Sequence, residues 1–245
     1  MNKMKFLTYL LGANFLLFSF AYGKNPVDLS IQLEVKRAVE KGLSWLNTEQ
    51  NQTSGHWGDS DYPALTGLAL RANLGAPDSE VDAKTEKILS KGFEFISSKV
   101  QSDGGIYGKG LASYNTSICM MALMQTKNPK FEPIIVKARN FLINQQSDFD
   151  QKGEIDNTFD GGIGYGSTWA HSDLSNTHLA MEALFYAKKS FQSKEGESLD
   201  LDWDAAISFV SKCQNLKTTN SEEWVSEHGD DKGGFIFFPG NSMAG

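Results

Sequence analysis

The chain has 245 residues, of which 40% are hydrophobic and 11% aromatic, so it can bury one sizeable core. Its formal net charge of −7, with no cluster of Lys or Arg, argues against a nucleic-acid-binding surface. Helix-forming residues outnumber β-branched runs, which favours an all-α fold.

Residues 1–23 have the layout of a secretory signal peptide. Two lysines precede an almost entirely apolar run over residues 6–21, and Ala21 and Gly23 place small residues at the −3 and −1 positions of a cleavage site. The alternative is a retained membrane anchor, although the apolar run is short for a membrane span. Cleavage would remove two lysines and no acidic residue, which changes the net charge from −7 to −9. We therefore expect an acidic protein, exported to the periplasm or the extracellular space, with no membrane span in the mature chain.

After a leader over residues 24–34, amphipathic and apolar segments alternate. The amphipathic segments predict helices with one charged face, and the apolar segments predict helices that are buried on both sides. The predicted amphipathic helices are 35–47, 84–98, 134–144 and 203–214, and the predicted apolar helices are 64–74, 115–126 and 177–187.

The same residue types recur in register along these segments. Threonine opens each apolar helix, at Thr66, Thr116 and Thr177. Self-similarity over several tens of residues indicates helical-hairpin repeats, which must stack because one hairpin cannot bury its own apolar face. Since the apolar helices carry almost no charge, we predict a closed double ring with these helices inside. The matching aromatic positions of the amphipathic helices are Trp45, Phe95, Phe141 and Phe209.

The first repeat carries the pattern Lys-Gly-x-x-Trp-x-x-x-x-Gln followed by Gly-x-Trp-Gly. Its residues are Lys41, Gly42, Trp45, Gln50, Gly55, Trp57 and Gly58. This pattern, matched more loosely by residues 91–107 and 137–162, resembles the repeat of squalene/terpene cyclases and protein prenyltransferases. The resemblance covers residues 35–245 and implies an (α/α) toroid whose inner helices line an apolar cavity for isoprenoid chains. About three and a half repeats are present, so we expect an incomplete ring with an unpaired outer helix near the C-terminus.

The cyclase resemblance implies a role for residues 173–177, with the sequence Asp-Leu-Ser-Asn-Thr. Cyclases of the hopene type protonate an alkene with an aspartic acid of an Asp-x-Asp-Asp-Thr motif that opens an inner helix. Here the acid position is Ser175, and a serine hydroxyl cannot protonate an alkene at a useful rate. We therefore expect no protonation-initiated cyclisation from this repeat, and we expect Asp173 to be the N-cap or a first-turn acid of the helix.

Protein prenyltransferases hold Zn²⁺ with Asp, Cys and His ligands. Cys119 and Cys213 are the only cysteines of this chain, and neither belongs to an Asp-x-Cys pair. Prenyl transfer is therefore not expected, and neither a metal nor a cofactor is predicted. Both cysteines are expected to be buried as small hydrophobic residues, with a disulfide as the alternative in an exported protein.

The candidate catalytic residues are His171, Asp173 and His178, which cluster at one junction between a loop and a helix. Their spacing matches no known metal-ligand signature. The alternative is a polar loop whose side chains cap the helix and leave one histidine in solvent.

Aromatic and methionine side chains are the candidates for lining a ligand cavity, because aromatic rings stabilise carbocations. Trp57, Tyr107 and Tyr165 stand at repeat-equivalent positions, where packing between repeats is the alternative role. Trp169 lies outside the repeated pattern and is the better ligand candidate. The predicted cavity residues are Trp169, Met120, Met181 and Phe185.

The sequence therefore predicts an exported terpene cyclase/prenyltransferase-like toroid protein that binds an apolar or isoprenoid-like ligand, without establishing catalysis. One alternative is a non-catalytic scaffold whose stacked repeats bind another protein. Another is a carbohydrate-active, lyase-like enzyme on the same fold, which would need a basic cluster to neutralise uronates. The three arginines, Arg37, Arg71 and Arg139, are spread through different helices, which argues against the lyase.

Overall fold

The computed structural model describes residues 28–76, 82–166, 171–190, 199–226 and 229–239. The chain divides into two compact units, Met1–Trp45 and Leu46–Gly245. The described residues of the first unit form most of the first helix. The predicted signal peptide over residues 1–23 lies outside the described residues, as does Trp169.

Seven α-helices and one short 3₁₀ helix make up the regular structure of the described residues. They are α1 (Leu29–Thr48), α2 (Pro63–Leu74), α3 (Ala83–Ser98), α4 (Ala112–Gln125), the 3₁₀ helix (Pro129–Phe131), α5 (Glu132–Ile143), α6 (Leu174–Ser190) and α7 (Trp203–Lys212). Within these ranges extended backbone pairs only at isolated β-bridges, and no strand is formed. The all-α prediction is confirmed.

Helix α1 begins at Leu29, so residues 29–34, which were predicted as leader, are helical. The side chain of Asp28 accepts the backbone N–H of Ser30 at 2.8 Å, which supplies the cap that begins the helix there. None of the residues of α1 is fully buried, and Trp45 is 64% exposed. The three equivalent aromatic residues of the later amphipathic helices, Phe95, Phe141 and Phe209, are buried.

In the second unit the apolar helices α2, α4 and α6 pack side by side, and α4 contacts both of its neighbours. Of the 14 residues of α4, 11 are buried, which confirms the prediction that this helix is enclosed on both sides. The amphipathic helices pack from one side only: α3 contacts α2, α5 contacts α4 and α6, and α7 contacts α6. The largest apolar side chains that are completely buried are Leu70, Ile96, Ile106, Ile118, Met120, Leu123, Leu142, Ile163, Leu184 and Phe209.

The loops that lead into α2, α4 and α6 share one hydrogen bond. In each loop a backbone N–H donates to the hydroxyl of a buried threonine near the start of the following apolar helix. The pairs are Trp57 N with Thr66 Oγ1 at 3.1 Å, Ile106 N with Thr116 Oγ1 at 2.9 Å, and Ile163 N with Thr177 Oγ1 at 2.8 Å. Each bond satisfies a donor that burial would otherwise leave without a partner, so it fixes the loop on its helix.

A glycine with positive φ precedes each of these loop residues by two positions. The glycines are Gly55 (φ +78°), Gly104 (φ +93°) and Gly161 (φ +81°), and Gly233 (φ +84°) holds the same place after α7. A Cβ atom would lie 2.5 Å from the Lys91 carbonyl oxygen at Gly55 and 2.7 Å from the Lys137 carbonyl oxygen at Gly104. At Gly161 it would meet the Ala205 carbonyl oxygen. Each glycine therefore lets its loop approach the backbone of the next amphipathic helix.

We expect Gly104→Ala to lower the free energy of unfolding by about 2–5 kcal/mol, as measured by urea denaturation. About 1–2 kcal/mol of this loss is the cost of placing alanine in a left-handed backbone conformation. The rest comes from the collision of the new methyl group with the backbone of Lys137. Gly153→Ala is the matched control, because Gly153 has a φ of +85° and open space around the added Cβ. It should cost only about 1–2 kcal/mol. Equal losses from both variants would contradict the close approach.

Candidate functional site

An open groove of about 900 Å³ lies along one face of α6. Leu174, His178, Met181 and Phe185 recur at helical spacing along this face. Residues 235–237 and the side chains of Trp203 and Val210 from α7 also line the groove. The opposite side of α6 is buried, with Ala180, Ala183, Leu184 and Ala187 packed in the core. The exposed face of α6 is thus the side that the other described helices leave uncovered.

The groove presents aromatic surface to solvent. Phe185 is 56% exposed, Tyr186 is 47% exposed and Phe235 is 56% exposed. Adjacent exposed rings are uncommon on a surface that has no partner and indicate a binding surface. Its polar groups are few: the lining includes the Ser175 hydroxyl, the His178 ring and the Glu182 carboxylate.

The wall formed by residues 235–237 is held at both ends. Phe235 forms a β-bridge with Gln214, and the backbone N–H of Ile236 donates to the Cys213 carbonyl at 2.9 Å. The backbone N–H of Leu174, at the start of α6, donates to the Phe237 carbonyl at 2.8 Å. The wall is therefore tied both to the end of α7 and to the start of α6.

A smaller cavity of about 290 Å³ lies beside the groove, and Glu182 and Tyr186 line both. It is formed between the apolar helices, with Met121 and Met124 from α4 and Arg71 from α2. The guanidinium of Arg71 lies 3.8 Å from the carboxylate of Glu182. Arg71 and Glu182, the charged side chains of the smaller cavity, are thus paired with each other.

The predicted cavity residues divide between the groove and the core. Met181 and Phe185 line the groove. Met120 is fully buried in the hydrophobic core and does not line the groove. Trp169 lies outside the described residues.

The aromatic residues at repeat-equivalent positions have packing roles. Trp57 is 4% exposed and donates its indole N–H to the Leu46 carbonyl at 2.6 Å. The Tyr107 ring lies 5.9 Å from the Phe141 ring, and its hydroxyl donates to Asp103 at 2.7 Å. These contacts join each loop to a neighbouring helix and place neither ring in the groove.

Asp173 is fully buried immediately before α6. Its carboxylate accepts the backbone N–H of Asn176 at 2.8 Å and the side-chain amide of Asn176 at 2.7 Å. The first bond is that of a helix N-cap, so this prediction is confirmed. Burial raises the pKa of Asp173 above its ordinary value of 3.8, although the bonds from Asn176 and the nearby His171 counteract this effect. The carboxyl group therefore stabilises the helix end.

The other two candidate catalytic residues occupy different surroundings. The His171 ring lies 4.7 Å from the Phe238 ring and 6.3 Å from the Phe159 ring. His178 is exposed and lines the groove. Among the residues that the structure describes, no three His, Cys, Asp or Glu side chains come together as a possible metal site.

Both cysteines are buried free thiols. This confirms the prediction that they serve as small hydrophobic residues. Burial, with a smaller contribution from Asp173, raises the pKa of Cys213 to about 12. Burial also raises the pKa of Cys119. Burial thus favours the protonated thiol over the thiolate at both cysteines.

The groove residues outside α6, above all Phe235 and Phe237, are not among those predicted from the sequence. The signal was present, because residues 234–238 read Gly-Phe-Ile-Phe-Phe. An aromatic residue in a repeat loop is expected to pack between repeats. Since Phe235 is exposed, this loop differs from the earlier loops, in which Trp57, Ile106 and Ile163 are buried.

Comparison with known protein families, with curated proteins and with solved structures gave no match to this chain. Among the described helices, none has the length and the apolar character needed to cross a membrane.

Asp173→Asn should remove a titration without removing the cap, because Asn caps helices as well as Asp does. The raised pKa means that the folded state favours the protonated carboxyl. Protonated Asp173 therefore stabilises the folded state fully at pH values below the pKa that this group has in the unfolded chain. This stabilisation is lost as the pH rises through the pKa that the group has in the folded protein. We expect the stability of the Asn variant relative to the unsubstituted protein to increase as the pH rises from roughly 4, as measured by urea denaturation at a series of pH values.

Asp173→Ala is the control for this pH series, because alanine neither titrates nor caps the helix. It should be less stable than the Asn variant by about 0.5–2 kcal/mol at every pH. If the difference between Asp173→Asn and the unsubstituted protein falls as the pH rises, the raised pKa is wrong.

Proposed function

We propose that this chain is a helical-hairpin repeat protein of the (α/α)-toroid type, similar to terpene cyclases and prenyltransferases, and that it binds an apolar ligand in the groove on α6. The observation that carries the proposal is the groove itself. It exposes the rings of Phe185, Tyr186 and Phe235 and offers few polar groups. Its volume of about 900 Å³ falls in the range of ligand-binding sites, which are mostly apolar.

The repeat architecture is supported by the recurrence of the loop geometry. Three loops place a backbone N–H on a buried threonine hydroxyl, at Thr66, Thr116 and Thr177. The positive-φ glycine of each loop lies against the next amphipathic helix. Side-by-side packing of α2, α4 and α6 is the arrangement expected of the inner helices of a partial ring.

Binding, rather than cyclisation, is supported by the residues at the position of the cyclase acid. Ser175 lines the groove and is exposed there. Asp173, which the resemblance aligns with the motif, is buried, and Asn176 donates to both of its carboxylate oxygens. The groove thus offers a ligand apolar contact without a strong acid.

Two apolar ligands are compatible with this surface. The family resemblance suggests an isoprenoid chain. An apolar segment of another protein would satisfy the same contacts, as expected of an interaction module. A lyase is less well supported, because Arg139 bonds the carbonyl of Leu199 and the carboxylate of Asp200, and Arg71 pairs with Glu182.

We expect Phe185→Ser to weaken the binding of farnesol or of an apolar fluorescent dye by about tenfold, because the ligand would lose contact with one aromatic ring. Fluorescence titration and native mass spectrometry measure this change. Leu68→Ser is the matched control, since Leu68 is 43% exposed on α2 and does not line the groove. If the unsubstituted protein binds neither the apolar probes nor an apolar peptide, the proposed function is wrong.

We also propose that the protein is exported and that cleavage follows Gly23. The mature chain should then begin at Lys24. Intact-mass measurement of the protein from the soluble fraction outside the cytoplasmic membrane tests this. Recovery of a cytoplasmic chain that retains residues 1–23 would contradict it.

A further inference from the structure

The smaller cavity is lined from the same position of all three apolar helices. Arg71, Met121 and Glu182 each lie five residues after the buried threonine near the start of their helix. All three side chains line the cavity of about 290 Å³. The same side of α2, α4 and α6 therefore faces this cavity, which means that the common register of the three helices forms it.

The cavity also collects charges that these helices otherwise lack. Arg71 is the only charged residue of α2, α4 has no charged residue, and Glu182 is the only acidic residue of α6. The side chain of Arg71 is 33% exposed and that of Glu182 is 31% exposed. Two opposite charges thus stand at one level of the apolar helices, and both are accessible to a ligand in the cavity.

The pair of Arg71 and Glu182 is an open one. Its nearest nitrogen and oxygen atoms are 3.8 Å apart, whereas charge-assisted hydrogen bonds of this kind are about 2.7–2.9 Å long. Among the residues that the structure describes, neither side chain takes part in a hydrogen bond. Arg139 differs, because it donates to the Leu199 carbonyl at 2.8 Å and to the Asp200 carboxylate at 3.3 Å. The hydrogen-bonding groups of the cavity pair can therefore exchange water for a ligand.

The opposite signs of the pair decide the class of ligand. An anion that approaches Arg71 is repelled by Glu182, and a cation that approaches Glu182 is repelled by Arg71. A zwitterion meets neither penalty, because its carboxylate can contact the guanidinium while its ammonium group contacts the carboxylate. The cavity wall also contains Met121, Met124 and the ring of Tyr186, which suit an apolar side chain.

We propose that the cavity between α2, α4 and α6 binds a free α-amino acid with an apolar side chain, such as leucine or methionine. Arg71 binds its carboxylate, Glu182 binds its ammonium group, and Met121 and Met124 contact its side chain. The volume of about 290 Å³ lies at the lower end of the range of ligand pockets, which suits so small a molecule. The inference goes beyond the proposed function and does not depend on a ligand in the groove.

Isothermal titration calorimetry of the full chain with L-leucine tests the site. Two analogues keep the leucine side chain and remove one charged group each: leucinamide lacks the carboxylate, and 4-methylpentanoate lacks the ammonium group. We expect each analogue to bind about tenfold or more weakly than leucine, because one charge-assisted contact is lost. Equal affinity for all three compounds overturns the proposal, and so does the absence of binding by leucine and methionine at millimolar concentrations.

Substitutions of the charged pair show which group each residue contacts. Arg71→Met should weaken the binding of leucine about tenfold or more and leave that of leucinamide unchanged. Glu182→Gln should weaken the binding of leucine as much and leave that of 4-methylpentanoate unchanged. The matched control is Lys189→Gln, which removes a charge from α6 outside the cavity and should leave leucine binding unchanged.

The pattern of losses separates a ligand site from a structural ion pair. If both variants fold and bind leucine as tightly as the unsubstituted protein, the cavity is not the site and the proposal is overturned. If each variant loses all three compounds to the same degree, the assignment of the two charged contacts is overturned. The comparison of leucine with its two analogues uses the unsubstituted protein, so it decides the question even where a variant does not fold.

Discussion

The hydrogen bond from a loop N–H to a buried threonine hydroxyl is the constraint on which the helix arrangement depends. Burial makes it costly to leave that N–H without a partner, so the loop can be buried only when the threonine is in place. The bond joins each loop to the apolar helix that follows it. The positive-φ glycine two positions earlier joins the same loop to the next amphipathic helix. Together the two devices hold each of these three loops against two helices, and their recurrence gives the helices their common register.

The groove lies on the face of α6 that the other described apolar helices do not cover. Among the described apolar helices, α4 packs between α2 and α6 and is buried almost all round, whereas α6 packs against α4 on one side and reaches α2 through the pairing of Glu182 with Arg71. The other face of α6 carries the residues that line the groove, and Phe185 is 56% exposed there. Among the described residues, the backbone N–H of Phe235 makes no hydrogen bond, and nothing lies within 4 Å of a Cβ atom added at Gly233.

Much of this fold can be read from the sequence, because helical periodicity and the threonine register are local signals. The site is less accessible, since it depends on neighbours. Met120 and Met181 occupy similar apolar runs, yet Met120 is enclosed in α4 and Met181 lines the groove. The Asn-Thr pairs at residues 115–116 and 176–177 also differ in their hydrogen bonds. The side-chain oxygen of Asn115 accepts the N–H of Ala64 at 2.9 Å, whereas Asn176 donates its amide to Asp173. A sequence pattern shows which groups are present, but it does not show which of two partners a side chain takes.

Amide hydrogen exchange of the free protein, resolved residue by residue, tests the central claim most directly. The N–H groups of Trp57, Ile106 and Ile163 should exchange about 100-fold or more slowly than unstructured amides, because a buried threonine holds each of them. The N–H of Phe235 should exchange much faster than these three. Protection of all four amides to the same degree, or of none of them, would contradict the account.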